Sequence, residues 1–432
     1  MNRFVEHTLL LLVIVFLTLP ALQQWTGVIH SRKLNGAYQP AEDPVFSDSS
    51  WLSGDYQWEK NCWINDANGF REDLVRLYNQ ADFSLFRIPH ATGIIVGKEH
   101  YLYYVEGIFN LTGRNVFDSS YYPAVADRYK SVQEYLMKQY GIPLLLILAP
   151  DKASFYPEYI PSRFLKERKN QTKYSSLIQA LDQVQAPYLD FNRYFLLMKD
   201  TSRYHLYPKN GSHWSSYGAM LAFDSLHRYL AENCDMRLPD RIQEGINTTK
   251  ELFDDNGDLS RTLNLIWEPA HPSMDYATYY FTPLDTLRKI RLLVIGDSYF
   301  WQWIHPGIIQ NNFAEYHFWY YNQGVFPESR KHYLNAYTLD FHETIQQFDL
   351  ILILQTTGAK LIPGYGFIDR AYCEFFYPDR LNQYLEEIRE SDQEASLLKQ
   401  KAMDEGLPIE TVRYQEAISR VVRNTRNKKS NL

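Results

Sequence analysis

The chain opens on an uncharged apolar run, Thr8 to Leu22, built mostly of Leu, Val, Ile and Phe, which continues through Gln23-Gln24-Trp25 to Ile29. About twenty such residues suffice for a membrane-spanning helix. Trp25 falls where indole rings collect at a membrane–water interface. Arg3 precedes the run and His30, Arg32 and Lys33 follow it, so flanking charge does not fix its orientation. A cleaved signal peptide is the competing reading, but no clear small-x-small cleavage site follows. Residues 1–29 are therefore read as an uncleaved signal anchor, with everything beyond them outside the cytoplasm. The polar stretch 30–50, which contains Pro and Gly, reads as a linker.

Helical spacing of apolar residues recurs from Phe70 to Tyr78, with acids in the first turn. Ile94–Val96 and Tyr101–Tyr104 flank Gly97-Lys98-Glu99-His100 and predict a short hairpin. From about residue 120 the pattern becomes an alternation. A helix over Ala124–Tyr140 stops at Gly141, and the apolar run Leu144–Leu148 follows. Another helix covers Tyr174–Gln183, then come a short strand at Tyr188–Asp190 and an amphipathic helix over Ser215–Leu230. Ile290–Ile295 and Leu350–Leu354 complete the set of apolar runs. Continuous apolar strands between helices indicate a parallel sheet covered on both faces, hence an α/β fold. Residues 376–432 read as a charged helical extension, two helices broken around Gly406-Leu407-Pro408, ending in a disordered basic tail from Arg423.

Composition narrows the function. Lys and Arg number 44 against 51 Asp and Glu, a net charge of −7, which excludes a general nucleic-acid binder. Aromatic residues make up 16%, with 34 Tyr; such rings suit flat sugars, and they equally suit a Tyr-rich core. Cys62, Cys234 and Cys373 form neither a CxxC pair nor a zinc spacing, and no histidine has metal-ligand spacing. Neither a metal nor a cofactor is expected.

The run Ile290–Ile295 leads into Gly296-Asp297-Ser298-Tyr299 and then a helix. That order places Ser298 at the C-terminal edge of a parallel sheet, where α/β proteins put ligands. Free N–H groups at the start of the helix suit a developing negative charge. Capping by Asp297 or Ser298 would explain the same residues without chemistry. A serine nucleophile needs a base. His213 lies in the polar loop Asn210-Gly211-Ser212-His213-Trp214 that leads into the Ser215 helix. His305 follows Ser298 too closely to face it, and His317 beside Trp319 reads as core or groove lining.

Four pieces then occur in one order: Gly69-Phe70-Arg71, Gly97-Lys98 to Leu102-Tyr103, Pro150-Asp151-Lys152 to Tyr156-Pro157-Glu158, and His213-Trp214 to Gly218-Ala219 ahead of Gly296-Asp297-Ser298. With them the chain resembles the SGNH-hydrolase-like O-acetyltransferases of bacterial exopolysaccharide systems, the alginate O-acetyltransferase family. The resemblance implies an SGNH-like, flavodoxin-like domain over 51–375 with a helical lead-in and a circularly permuted motif order, histidine before serine. It implies Ser298 as nucleophile and His213 as base, passing an acetyl group to a polysaccharide. The acetyl donor would arrive through a multispanning membrane acyltransferase. The family pattern has an aspartate two residues before the histidine, where this chain has Gly211. Asp190 and Asp151, at the ends of predicted strands, are candidates for a relocated acid. The Ser298 amide and Asn322 are candidate oxyanion donors, and Trp301, Trp303, Trp319, Tyr320 and Tyr321 candidate sugar platforms. A carbohydrate acetylesterase, or a glycan-binding subunit with a degenerate site, would share most of these features.

Overall fold

The structure is a computed structural model that describes residues 3–429 apart from 37–39, 116–117, 167, 285–286 and 359–360. The chain divides into two compact units, one of Met1–Val96 with Asp258–Ala270 and one of Gly97–Gly257 with His271–Leu432.

In the first unit α1 (Arg3–Thr26) is long and apolar enough to cross a membrane, and its apolar side chains are exposed along its length. Three further helices follow: α2 (Asp48–Ser53), α3 (Asp55–Asp66) and α4 (Arg71–Phe86). The segment between α1 and α2, which covers the linker expected over 30–50, is hydrogen-bonded within this unit. Arg76 Nη2 donates to Lys33 O at 2.8 Å, the Asn35 amide to Asn264 Oδ1 at 2.7 Å, and the Ala41 amide to Asp66 Oδ2 at 2.9 Å. These backbone groups find partners on α3, on α4 and in Asp258–Ala270.

The second unit is built on a six-stranded sheet. Its strands are β1 (Leu144–Ala149), β2 (Tyr188–Asp190), β3 (Arg291–Gly296), β4 (Glu315–Tyr320), β5 (Gly324–Phe326) and β6 (Leu350–Thr356), in the order β2-β1-β6-β3-β4-β5. The first five in that order run parallel, and β5 joins β4 antiparallel. The sheet is thus the expected parallel one with an antiparallel strand at one edge. Side chains alternate between two cores. Leu145, Ile147, Leu292, Val294 and Leu352 pack with Phe223 and Leu226 of α6 (Ser216–Asn233). Leu144, Leu146, Leu293, Ile295 and Ile353 pack on the other face with Tyr129 and Val132 of α5 (Tyr121–Tyr140). Both faces are covered, which is why β1, β3 and β6 read as apolar runs. α5 ends as expected at Gly141, whose φ of 68° is the left-handed cap.

Beyond the sheet, α7 (Phe367–Phe376) is followed by three helices instead of two: α8 (Pro378–Glu390), α9 (Asp392–Glu405) and α10 (Ile409–Lys429). The additional break falls at Ser391, an N-cap whose hydroxyl accepts from the Glu394 amide. α10 carries helix through Arg423 to Lys429, so most of the expected tail is helical. Leu381, Leu385 and Ile388 of α8 meet Ala417, Ile418 and Val421 of α10 in a small core of their own.

Candidate active site

β3 ends at the C-terminal edge of the sheet, and the chain turns there through Asp297 into a short 3₁₀ turn, Ser298–Phe300. Asp297 fixes the turn. Its buried carboxylate accepts from the Tyr299 amide at 3.0 Å, the Thr356 amide at 2.7 Å and the Tyr365 hydroxyl at 2.8 Å. Burial pushes this carboxyl above its ordinary range, and these donors pull it back toward the charged form. Ser298 is half-buried, and its N–H opens the turn, where the first amides lack intrahelical partners.

His213 arrives on the loop before α6. Ser215 caps that helix, its hydroxyl accepting from the Gly218 amide at 2.9 Å. The buried ammonium of Lys152 donates to Lys209 O at 2.6 Å and Gly211 O at 2.7 Å, and Tyr299 Oη donates to Ser212 O at 2.9 Å. Trp214 is fully buried against Trp303, ring centroids 5.5 Å apart. So held, His213 Nε2 lies 2.7 Å from Ser298 Oγ. His213 Nδ1 lies 3.2 Å from Ser212 Oγ and 3.9 Å from Asp255 Oδ2. Asp255 Oδ2 also accepts from the amide of Gln302, four residues beyond Ser298.

The sequence expectations thus meet in part. Ser298 and His213 come together. The two candidate acids are corrected. Asp190 caps a helix through the Arg193 amide at 3.0 Å and accepts from Tyr174 Oη at 2.6 Å. Asp151 caps Ser154 at 3.1 Å, and burial pushes it up to about 6. The acid beside the imidazole is Asp255, which was missed; its one signal in the sequence is the turn-like run Asp254-Asp255-Asn256-Gly257. Gly211 is explained by the same segment. A Cβ there would stand 2.5 Å from Asp255 O and 2.8 Å from Asn256 O, so the backbone of 255–256 fills the space an aspartate would need.

Asn322 is also corrected. Its side-chain amide donates to Tyr337 Oη at 3.1 Å and Tyr365 O at 3.3 Å, and its backbone N–H to Trp319 O at 3.1 Å. Trp303 and Trp319 are core residues, fully buried; the Trp303 indole N–H bonds Ala219 O at 2.8 Å. Trp301 is partly buried and stacks on His305 at 5.6 Å, with Tyr320 against its edge. Tyr321 alone of the five is exposed, and it faces Ser298. His317 is paired with Glu315 and Glu328, away from this chemistry. Among the described residues no cluster of His, Cys, Asp or Glu could hold a metal ion.

The family model described as the SGNH hydrolase-like domain of the acetyltransferase AlgX matches residues 94–311, just over half of the chain. The chain belongs to this SGNH-like acetyltransferase family. The match contains both His213 and Ser298 in the permuted order. Solved structures that resemble the chain include the O-acetyltransferase domain of Pseudomonas putida AlgJ. It is 16% identical with a TM-score of 0.44 over 65% of this chain and 99% of that one. Pseudomonas aeruginosa AlgX is 12% identical with a TM-score of 0.42 over 65% of this chain and 66% of that one. Bacillus cereus PatB1 is 12% identical with a TM-score of 0.35 over 56% and 91%. No curated protein sequence matches the chain.

Proposed function

We propose that this acetyltransferase-family chain moves an acetyl group through an acetyl-Ser298 intermediate onto a hydroxyl of a cell-surface or exported polysaccharide, outside the cytoplasm and anchored by α1. The observation that carries the reading is the 2.7 Å approach of His213 Nε2 to Ser298 Oγ. Nε2 takes the Ser298 proton as Oγ attacks the acetyl carbonyl, and Nδ1–H faces Asp255, which steadies the imidazolium that forms. The Ser298 amide supports the oxyanion. The donor's leaving group departs with the proton from Nε2, leaving acetyl-Ser298. A sugar hydroxyl then gives its proton to Nε2 and attacks the ester. Acetylated sugar leaves, and Ser298 Oγ regains its hydrogen. Exposed Tyr321 is the platform on which a sugar ring would stack. The donor, delivered by a multispanning membrane acyltransferase, belongs to this proposal through family likeness.

The test is incubation of the purified protein with a nitrophenyl acetyl ester and oligosaccharide acceptors. Acetyl-Ser298 should be trapped by mass spectrometry, and acetylated sugar should form when acceptors are added. Unchanged turnover in Ser298→Ala sinks the assignment. Free acetate with every acceptor favours an esterase instead.

A further inference from the structure

The first unit carries a helix that turns an apolar stripe to solvent. α4 shows solvent Leu74, Leu77, Tyr78, Ala81 and Leu85, which recur every three or four residues and so form one face. Leu77 is 57% exposed and Leu85 73%. Its inward face holds Arg76 and Asn79 beside Phe83: Arg76 donates through Nη1 to Glu72 O and through Nη2 to Lys33 O, and Asn79 donates to Leu263 O at 2.9 Å. A helix facing water distributes its residues the opposite way. Neighbouring elements repeat the pattern, with Trp58 on α3 69% exposed and Leu52 on α2 85% exposed. Large apolar side chains lined up on one exposed helix face mark an interaction surface.

What covers it follows from α1. The α3–α4 turn packs on the last turns of that helix. A Cβ at Gly69 would stand 2.4 Å from Gln24 N and 2.6 Å from Pro20 O. Gln23 is buried among exposed neighbours and bonds the Ile29 backbone through both ends of its amide. α1 is therefore seated on the turn between α3 and α4, at the end where a spanning helix leaves the hydrocarbon. Trp25, 85% exposed, lies at that level, where indole rings favour the headgroup region.

We propose that the apolar face of α4, with Trp58 and Leu52, lies in the headgroup–acyl boundary of the bilayer that α1 spans. The first unit is then a monotopic membrane foot fixed to its anchor. The inference rests on the proposed membrane anchoring of α1. Such a helix enters the interface by burying its apolar face while its polar groups stay bonded elsewhere. α4 does this with Arg76 and Asn79 directed into the protein.

The experiment places p-benzoylphenylalanine at position 77 or 85 of the full-length protein, reconstituted in phosphatidylethanolamine–phosphatidylglycerol vesicles, with position 13 in α1 and exposed position 232 on α6 as controls. Irradiation should give phospholipid adducts at 77 and 85 comparable to that at 13 and roughly tenfold above that at 232, as expected of side chains sunk in the boundary. Lipid adducts at 13 but none at 77 and 85 overturn the proposal and leave the anchor standing. Absence of an adduct at 13 overturns the anchor reading itself, and the foot with it. Repeated in native membranes, protein adducts replacing lipid adducts at 77 and 85 would also overturn it, in favour of a protein partner.

Discussion

Ser298 and Asp255 flank the same imidazole and are held by opposite means. Ser298 follows directly from a buried strand. Asp297 beside it is 1% exposed and accepts three hydrogen bonds, two of them from β6 or the loop that follows it. Asp255 lies on a short 3₁₀ turn, its side chain 29% exposed, and that side chain meets the imidazole and Gln302. The position of the proposed nucleophile is thus a property of the sheet, whereas the proposed acid sits on a more exposed segment. A rigid mount suits the atom that must attack at a defined angle. A looser one is tolerable for a group that acts through charge and can close a 3.9 Å gap as the imidazolium forms.

If this contrast is right, the largest loss belongs to the serine. Ser298→Ala should lower ester turnover by about 10⁵-fold, with thermal unfolding unchanged, because the hydroxyl carries the covalent step and little of the packing. Near-wild-type kcat would end the comparison. Asp255→Asn should cost less, about a hundredfold in kcat, since a partly solvated acid stabilises imidazolium less than a buried one. KM should hardly change, because the interaction strengthens in the transition state. Gln302→Leu should give a fraction of the Asp255 loss. A loss equal to that of Ser298→Ala would show that the acid is as fixed as the nucleophile.

A sharper test returns the family's aspartate to its usual place. Gly211→Asp should lower stability by about 3 kcal/mol in urea unfolding, because the new Cβ meets backbone oxygens at 2.5 and 2.8 Å that cannot simply rotate away. Activity should fall with it. A stable Gly211→Asp enzyme with raised kcat would mean that Asp255 is a bystander.

The same division separates what the sequence made legible from what it hid. Leu144–Ala149, Arg291–Gly296 and Leu350–Thr356 were readable because buried parallel strands leave apolar runs. Glu315–Tyr320 was not: it begins Glu-Tyr-His and lies toward the sheet edge, beside the antiparallel β5, so its pattern is mixed. The ribbon of Arg241–Thr249 with Met274–Phe281 was hidden for a related reason, being largely solvated and polar. Ser298 and His213 announced themselves through their local turns. Asp255 could not, since nothing in its neighbours encodes a contact with a residue 42 positions earlier. In the first unit, Asn79 bonding Leu263 across 184 positions was equally invisible.

The smallest effect belongs to Asp151, a carboxylate on the rigid side of the comparison. It caps Ser154, and burial, the dominant influence, pushes it up to about 6 against an ordinary 3.8; the Ser154 and Ala153 amides and the Lys152 charge oppose the rise. A carboxyl whose folded value lies above its unfolded one binds its proton more tightly in the native state. Its contribution favours folding below about pH 4 and fades as pH rises through about 6. Above that, the ionised, buried group is a net cost on the order of 3 kcal/mol. Asp151→Asn keeps an oxygen for the Ser154 amide and removes the ionisation. The variant should therefore lose less stability than the wild type between pH 4 and pH 7, with a Tm at pH 7 equal to or above that of the wild type. A steeper loss would mean that the carboxylate's hydrogen bonds outweigh its burial, and that this end of the sheet tolerates charge as readily as the segment bearing Asp255.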